Sequence, residues 1–228
     1  MSFDLEKDGF KVIRNLIDED HVLILQTYFD MFYRVVQADD EFKKEYTTTP
    51  EGGDVANSIA FYSDKLTESI ALLYGPAICN NLNLNLSPTY TYARIYEKGN
   101  ALYPHTDRPS CQVSITAPII MSDHRASTIY ISNYAVKMDS PDRPTTEELF
   151  RRGDYTQIDL MPGDALVYSG CTRYHWRKPL ESDYLIQFFM HYVITEGKYA
   201  DLVFDSRPYM GFPSSFKNTT SRINNVQS

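Results

Sequence analysis

The chain has 228 residues, of which 43% are hydrophobic and 23% charged, a composition typical of globular rather than disordered proteins. The 22 Lys and Arg residues against 30 Asp and Glu give a net charge of −8, which argues against a nucleic-acid partner, because binding its backbone needs clustered basic residues. No apolar run approaches the ~20 residues that cross a membrane, so we expect no membrane partner. The N-terminus is acidic and lacks the apolar stretch of a signal peptide, and the three cysteines have no CxxC spacing. We therefore expect a cytoplasmic protein with free thiols.

The first part of the chain predicts helices. A short apolar stretch, Phe10–Ile13, follows the turn at Asp8-Gly9. From Asp18 to about Gln37, apolar residues recur every three or four positions, which predicts a helix capped by Asp18 or Asp20. The composition of residues 47–54 predicts a loop. A second helix is predicted over residues 63–74, and we expect Gly75-Pro76 to end it.

After residue 87 the pattern changes to short strands rich in β-branched and aromatic residues. These strands are predicted over residues 88–97, 111–120, 128–133, 156–160, 165–169, 173–178 and 184–194. A single helical turn with a capping box from Thr145 to Glu148 interrupts them. Seven or eight strands at this spacing predict a sandwich or barrel, and helices followed by strands predict an α+β fold. The sequence carries no signal for an oligomeric state.

Two of the five histidines belong to motifs that suit metal binding. His105 and Asp107 form an HxD motif, and residues two apart on a strand point to the same face. His175 comes 68 residues after Asp107, beyond a Pro-Gly-Asp turn at residues 162–164 and an apolar strand. On a neighbouring strand, His175 would complete a face of two histidines and one carboxylate, an arrangement that suits Fe(II) and leaves coordination positions open.

The succession of these motifs resembles the Fe(II)- and 2-oxoglutarate-dependent dioxygenases, near their prolyl-hydroxylase and phytanoyl-hydroxylase branches. The features that carry the resemblance are Tyr96-x-x-Gly99 before the HxD, the Pro-Gly-Asp turn with its apolar strand, and the distal His175, and the likeness extends over residues 9–194. It implies a double-stranded β-helix (jelly roll) core over residues 88–194 with helical support over 1–87, in one domain of residues 1–213. Residues 214–228 are polar and non-periodic, which predicts a flexible tail. The resemblance also implies Fe(II), 2-oxoglutarate and O2 as cofactor and cosubstrates, with His105, Asp107 and His175 as the catalytic iron ligands.

One position departs from the pattern of that family. Many members carry Arg or Lys some nine to eleven residues after the distal histidine, where it pairs with the far carboxylate of 2-oxoglutarate, but this chain has Tyr184, Leu185 and Ile186 there. Arg177 is the first candidate for this role, because it would face the same way as His175 and its planar fork can hold a carboxylate. The alternative is that Arg177 pairs with Glu181 or Asp183 outside the barrel. Further candidates are Arg94 and Arg125 as cations, and Tyr96 and Gln187 as neutral hydrogen-bonding groups.

The resemblance implies hydroxylation of a C–H bond with release of succinate and CO2. Asp107 favours hydroxylation, because the halogenating relatives lack this carboxylate. The substrate is either a peptidyl (prolyl-type) group or a small molecule. The missing basic residue keeps an alternative open, a non-redox cupin-like metal-binding or binding module that has lost 2-oxoglutarate turnover. We expect Cys111 and Cys171 to face away from the iron, because a thiol beside Fe(II) is prone to oxidation.

Overall fold

The computed structural model describes residues 3–48, 55, 57–138 and 143–217. Its helices are α1 (Leu5–Asp8), α2 (Glu19–Ala38), α3 (Asp40–Tyr46), α4 (Lys65–Leu82) and α5 (Thr146–Arg152). Its strands are β1 (Phe10–Ile13), β2 (Ile59–Tyr62), β3 (Leu86–Glu97), β4 (Leu102–His105), β5 (Val113–Met121), β6 (Ser127–Ser132), β7 (Tyr155–Leu160), β8 (Ala165–Ser169), β9 (His175–Arg177) and β10 (Tyr184–Ile194). They form two antiparallel sheets, a six-stranded sheet in the order β1-β8-β5-β10-β3-β2 and a four-stranded sheet in the order β4-β9-β6-β7.

The larger sheet has an outer face under the helices and an inner face toward the smaller sheet. Along β10, Ile186, Phe188 and Met190 pack into the main hydrophobic core with residues of α2 and α4. Because side chains alternate along a strand, Gln187 and His191 point to the opposite, inner face. The same alternation on the other strands of this sheet collects polar and aromatic side chains inside the roll.

Helix α2 covers the outer face and follows the predicted pattern. The side chain of Asp18 caps the helix by accepting a hydrogen bond from the backbone N–H of His21. Val22, Leu25 and Phe29 are buried on the side that packs on the sheet. Burial of each such side chain contributes roughly 1.5–3 kcal/mol to stability.

Helix α4 is longer than the sequence predicts, and the prediction that Gly75-Pro76 ends it was wrong. The helix continues through Pro76 and ends at Leu82, followed by Asn83 in the left-handed conformation with φ 54°. A proline inside a helix removes the hydrogen bond to the carbonyl four residues earlier, here that of Leu72. Leu72 lies on the exposed side of the helix, where water can take the place of the missing donor.

The first described strand joins the larger sheet, and the last described residues contact the segment Ala200–Ser206. Within the predicted helical support of residues 1–87, β1 pairs with β8 and β2 pairs with β3, so this region also supplies two strands of the larger sheet. Of the predicted tail, Ser214–Phe216 form a short 3-10 turn and Lys217 Nζ lies 2.7 Å from a carboxylate oxygen of Asp205. The remainder of that tail lies outside the described residues. Among the described helices, none combines the length and apolarity that crossing a membrane requires.

Candidate metal centre

Three side chains converge at one end of the smaller sheet. His105 closes β4 and His175 opens β9, and the two residues are directly paired across these strands. Asp107 lies just beyond β4, where its backbone N–H donates to Gly170 O at 2.8 Å. Its Oδ1 lies 3.5 Å from Nε2 of His105 and 3.4 Å from Nε2 of His175. The structure thus brings the HxD motif and the distal histidine together, although a loop rather than the strand carries Asp107.

Backbone carbonyls set the orientation of both imidazole rings. Nδ1 of His105 lies 2.9 Å from Tyr103 O, and Nδ1 of His175 lies 3.1 Å from Arg173 O. Because a carbonyl only accepts, each Nδ1 carries a proton, and Nε2 is the ring nitrogen that faces Asp107 and that a metal would bind. Two imidazole nitrogens and one carboxylate oxygen on a single face fit the donor set of a non-haem Fe(II) site.

Asp107 has one oxygen committed within the protein. Its Oδ2 accepts a hydrogen bond of 2.7 Å from Ser114 Oγ, which leaves Oδ1 beside the two histidines. Burial raises the pKa of Asp107, but the neighbouring His175 and His105 more than offset this and hold that pKa well below its usual range. The carboxylate is therefore ionised, as a metal ligand must be.

The three side chains open onto a cavity of about 380 Å³, within the size range of small-molecule sites. Aromatic side chains from β3, β8 and β10 form much of its wall, namely Tyr90, Tyr92, Tyr96, Tyr168 and Phe189. Arg108 and Arg143 lie at its rim. Arg108 is held there by an ion pair of 2.6 Å with Asp205, a residue of the C-terminal segment.

Arg177 is buried on the inner side of β9. Its Nη1 donates to Ser127 Oγ at 2.7 Å and to Thr128 O at 2.6 Å. Its Nε and Nη2 are buried and have no hydrogen-bond partner within the described part of the chain. Burial lowers the pKa of Arg177, opposed only by phenol groups, including that of Tyr96. The alternative that Arg177 pairs with Glu181 or Asp183 was wrong, because the strand turns this side chain inward.

The other predicted cations are already engaged. Arg94 donates from Nη1 to Ser58 Oγ at 2.6 Å and to Val55 O at 3.2 Å, and from Nη2 to the Tyr92 hydroxyl at 3.1 Å. Arg125 is 66% exposed and pairs with Asp123 at 2.7 Å. Of the three candidate cations, Arg177 is the one with fully buried nitrogens that have no hydrogen-bond partner among the described residues.

The two neutral candidates lie near Arg177. The centroid of the Tyr96 ring is 6.0 Å from Arg177 Cζ, and Tyr96 also lines the cavity at the histidines. Gln187 is fully buried and its Nε2 donates to Thr116 Oγ1 at 2.6 Å. Its Oε1 accepts a long contact of 3.4 Å from Ser127 Oγ, the hydroxyl that Arg177 also contacts.

Two further residues face the centre that the sequence reasoning did not place there. Atoms of Cys111, His191 and Asp107 lie within 4.8 Å of one another, so the expectation that Cys111 faces away was wrong. The Cys111 thiol turns inward from a short 3-10 turn at Pro109–Cys111. Burial lowers the pKa of His191 to about 4. The sequence signal for His191 was available, because it is four residues after Gln187 on one strand and therefore shares its face.

The fold matches solved structures that are only distantly similar in sequence. SnoN from nogalamycin biosynthesis, an epimerase solved with Fe3+, alpha ketoglutarate and nogalamycin RO, is 13% identical over 83% of this chain and 80% of its own, with a TM-score of 0.58. HygX from Streptomyces hygroscopicus, solved with nickel, 2-oxoglutarate and hygromycin B, is 16% identical over 84% and 85%, with a TM-score of 0.53. EctD from S. alaskensis, solved with 2-oxoglutarate and 5-hydroxyectoine, is 15% identical over 83% and 73%, with a TM-score of 0.54.

At these identities the comparisons establish the fold. It is the α+β double-stranded β-helix that these 2-oxoglutarate-binding proteins share. Neither a protein-family model nor a curated protein matches the sequence.

Proposed function

We propose that this protein is an Fe(II)- and 2-oxoglutarate-dependent oxygenase that hydroxylates a C–H bond of its substrate. The observation that carries the proposal is the convergence of Asp107 Oδ1 with the two Nε2 atoms of His105 and His175, at 3.5 and 3.4 Å. Both histidines are held in the tautomer that a metal requires, and the carboxylate is ionised. The fold is one in which the structural neighbours hold a metal ion together with 2-oxoglutarate.

Three residues would bind the metal ion and a fourth the cosubstrate. His105, Asp107 and His175 would hold Fe(II). When bound, Fe(II) and 2-oxoglutarate supply the activation of O2 that couples decarboxylation of the cosubstrate, with release of succinate and CO2, to oxidation of the C–H bond. Arg177 holds the far carboxylate of 2-oxoglutarate through Nε and Nη2, which have no other hydrogen-bond partner among the described residues.

Arg177 lines a cavity next to the one at the histidines, and Tyr96 lines both, so Tyr96 and the buried Gln187 would complete the cosubstrate site as neutral groups. Gln187 fixes Ser127, which in turn fixes Arg177, so the guanidinium is held in place before the cosubstrate arrives. Arg94 has a different part in this proposal. It fastens residues 55 and 58 and the Tyr92 hydroxyl against the pocket wall, and so shapes the pocket.

A small molecule is the substrate class that we propose, in preference to a peptidyl proline. HygX, SnoN and EctD were solved with hygromycin B, nogalamycin RO and 5-hydroxyectoine, all of them small molecules. The cavity of about 380 Å³ suits a ligand of that size. Its tyrosine-lined wall and the two arginines at its rim suit a molecule with polar groups.

The alternative is a β-roll module without redox chemistry. Arg177 argues against it, because a buried cation with two unpartnered nitrogens is costly unless an anion joins it. The test is iron- and O2-dependent conversion of 2-oxoglutarate into succinate, followed by proton NMR. We expect conversion by the parent protein and by Asp123→Asn, and none by Asp107→Asn. Failure of a folded, iron-loaded parent to convert 2-oxoglutarate would favour the module.

A further inference from the structure

Asp107 lies between two possible sets of metal ligands. One set joins it to His105 and His175, and the other joins it to Cys111 and His191. All five side chains line the same cavity. The second set contains a thiol and an imidazole, which together favour Zn2+ and similar soft divalent ions over Fe(II). A metal ion entering the cavity therefore meets two sites that compete for a single carboxylate.

The hydroxyl group of Ser114 forms hydrogen bonds with two members of the second set, Asp107 and His191. Ser114 Oγ lies 2.7 Å from Asp107 Oδ2 and 3.1 Å from His191 Nδ1. An ionised carboxylate can only accept, so the Ser114 hydroxyl donates to Asp107. Its oxygen then accepts from His191, which places the proton of that ring on Nδ1. This chain of hydrogen bonds engages one oxygen of Asp107 and one nitrogen of His191, and so holds two of the three side chains of the second set in fixed orientations.

The third member of the second set, the thiol of Cys111, contacts the hydroxyl group of Tyr90. The Tyr90 hydroxyl lies 3.0 Å from Cys111 Sγ, and both groups are buried. The ring of Tyr90 packs against His191, with 4.5 Å between the ring centroids, and against the Arg108 guanidinium at 4.4 Å. Tyr90 is therefore fixed on two sides and holds its hydroxyl against the sulfur.

The backbone at Gly170 is built to allow this arrangement. A Cβ on Gly170 would lie 2.5 Å from Asp107 Oδ2 and 2.6 Å from Ser114 Oγ, closer than any real contact. Only a residue without a side chain lets the carboxylate and the hydroxyl meet here. The hydrogen bond between Ser114 and Asp107 is thus supported by the main chain of the loop that precedes β9.

We propose that Ser114 and Tyr90 are metal-selectivity residues, which cap a latent thiolate site at Asp107, Cys111 and His191 and so direct the metal ion to the two-histidine face. The inference rests on the proposed function for the identity of that face as the iron site. Ser114 and Tyr90 are positioning residues here, because they act through Asp107, His191 and Cys111. Without the two caps, a soft divalent ion gains a second site that contains sulfur.

Cobalt(II) tests this directly, because cobalt bound to a thiolate has an intense near-ultraviolet charge-transfer band that cobalt bound to histidine and carboxylate lacks. We expect the full-length parent protein, titrated anaerobically with Co(II), to show no such band. We expect the Ser114→Ala/Tyr90→Phe variant to show it and the triple variant with Cys111→Ser to lose it. The matched control is Ser132→Ala/Tyr192→Phe, which removes one buried serine hydroxyl and one buried tyrosine hydroxyl away from the centre.

A thiolate band in the parent, or none in the uncapped variant, would overturn the proposal. If the double variant does not fold, Ser114→Ala and Tyr90→Phe are titrated separately, and absence of the band from both would overturn the proposal. Ser114→Ala should also bind Mn(II) about tenfold or more weakly, because it frees Asp107 to turn away from the histidines. Failure of the proposed function gives a different result. If His105 does not bind the metal ion, the visible absorption of the bound cobalt is the same in His105→Ala as in the parent.

Discussion

Replacing Arg177 with methionine separates the stability of the fold from the binding of 2-oxoglutarate. Methionine keeps the length of the side chain and removes its charge and its donors. The change deletes the two hydrogen bonds from Nη1 to Ser127 Oγ and Thr128 O. It also deletes the two buried nitrogens that have no partner among the described residues.

In Arg177→Met, the loss of unpaired buried donors and the loss of hydrogen bonds have opposite effects on stability. Each unpaired buried donor costs roughly 1–3 kcal/mol, so removing two of them stabilises the protein by roughly 2–6 kcal/mol. Each hydrogen bond from a charged donor contributes roughly 1.5–3 kcal/mol, so losing two destabilises it by roughly 3–6 kcal/mol. Taken together, these ranges limit the change in the free energy of unfolding without 2-oxoglutarate to about 4 kcal/mol in either direction.

The loss of affinity for 2-oxoglutarate in Arg177→Met has no such opposing contribution. A carboxylate that loses a buried guanidinium partner loses roughly 2–5 kcal/mol, a fall in affinity of about thirtyfold to several thousandfold. Calorimetric titration of 2-oxoglutarate into Mn(II)-loaded protein measures this fall. Urea unfolding provides a second readout, because a ligand at 100 times its Kd stabilises the folded parent by about 2.7 kcal/mol and should not stabilise the variant.

The matched control is Arg173→Met. Arg173 is also buried and also has two nitrogens without a partner among the described residues, but it donates to Lys7 O and packs against Gly9, outside the cavity. We expect Arg173→Met to leave the affinity for 2-oxoglutarate unchanged. The reasoning is refuted if Arg177→Met binds 2-oxoglutarate as the parent does, or if the two variants lose the same affinity.

Three further predictions follow from the same contacts. Leu185→Arg, added to Arg177→Met, returns a cation to the cavity that Arg177 lines. The affinity for 2-oxoglutarate, measured by calorimetry, should then recover at least tenfold. No recovery would contradict the placement of the far carboxylate. Gly170→Ala should weaken Mn(II) binding more than tenfold by electron paramagnetic resonance because its Cβ meets Asp107, whereas Gly75→Ala, whose Cβ would have no neighbour closer than 3.8 Å, should not. Burial raises the pKa of Asp205, but its hydrogen bonds from Arg108 and Lys217 hold that pKa well below the usual value of ~3.9, so its contribution to stability is complete above pH ~3.9 and is lost as the pH falls further. The free energy of unfolding should therefore drop less steeply below pH ~4 in Asp205→Asn than in the parent, and equal slopes would contradict the assignment.

The parts of the fold that follow a local pattern could be predicted from the sequence. β8 and β10 begin and end where alternation and turn residues place them, and the capping box from Thr145 to Glu148 starts α5 as predicted. The two-histidine and carboxylate motif could be found because each half of it is short and local. The meeting of the two halves follows from strand pairing between β4 and β9.

Other features depend on tertiary contacts that no local pattern records. The helix through Pro76 persists because the exposed side of α4 tolerates a missing donor. The four-residue strands β1 and β2 are recognisable only through their partners in the larger sheet. The choice of Arg177 over Arg94 depended on which guanidinium had its donors occupied, which only the folded structure reveals. The approach of Cys111 to the centre depends on a short 3-10 turn after the HxD motif.

The most direct test of the central claim is anaerobic titration of the protein with Fe(II) and 2-oxoglutarate, watched for the metal-to-ligand charge-transfer band of the chelate. We expect the band in the parent and in His124→Ala, which alters an exposed histidine in a turn, and we expect His105→Ala to lose it. A folded, iron-loaded parent without the band, or a band that survives in His105→Ala, would contradict that claim.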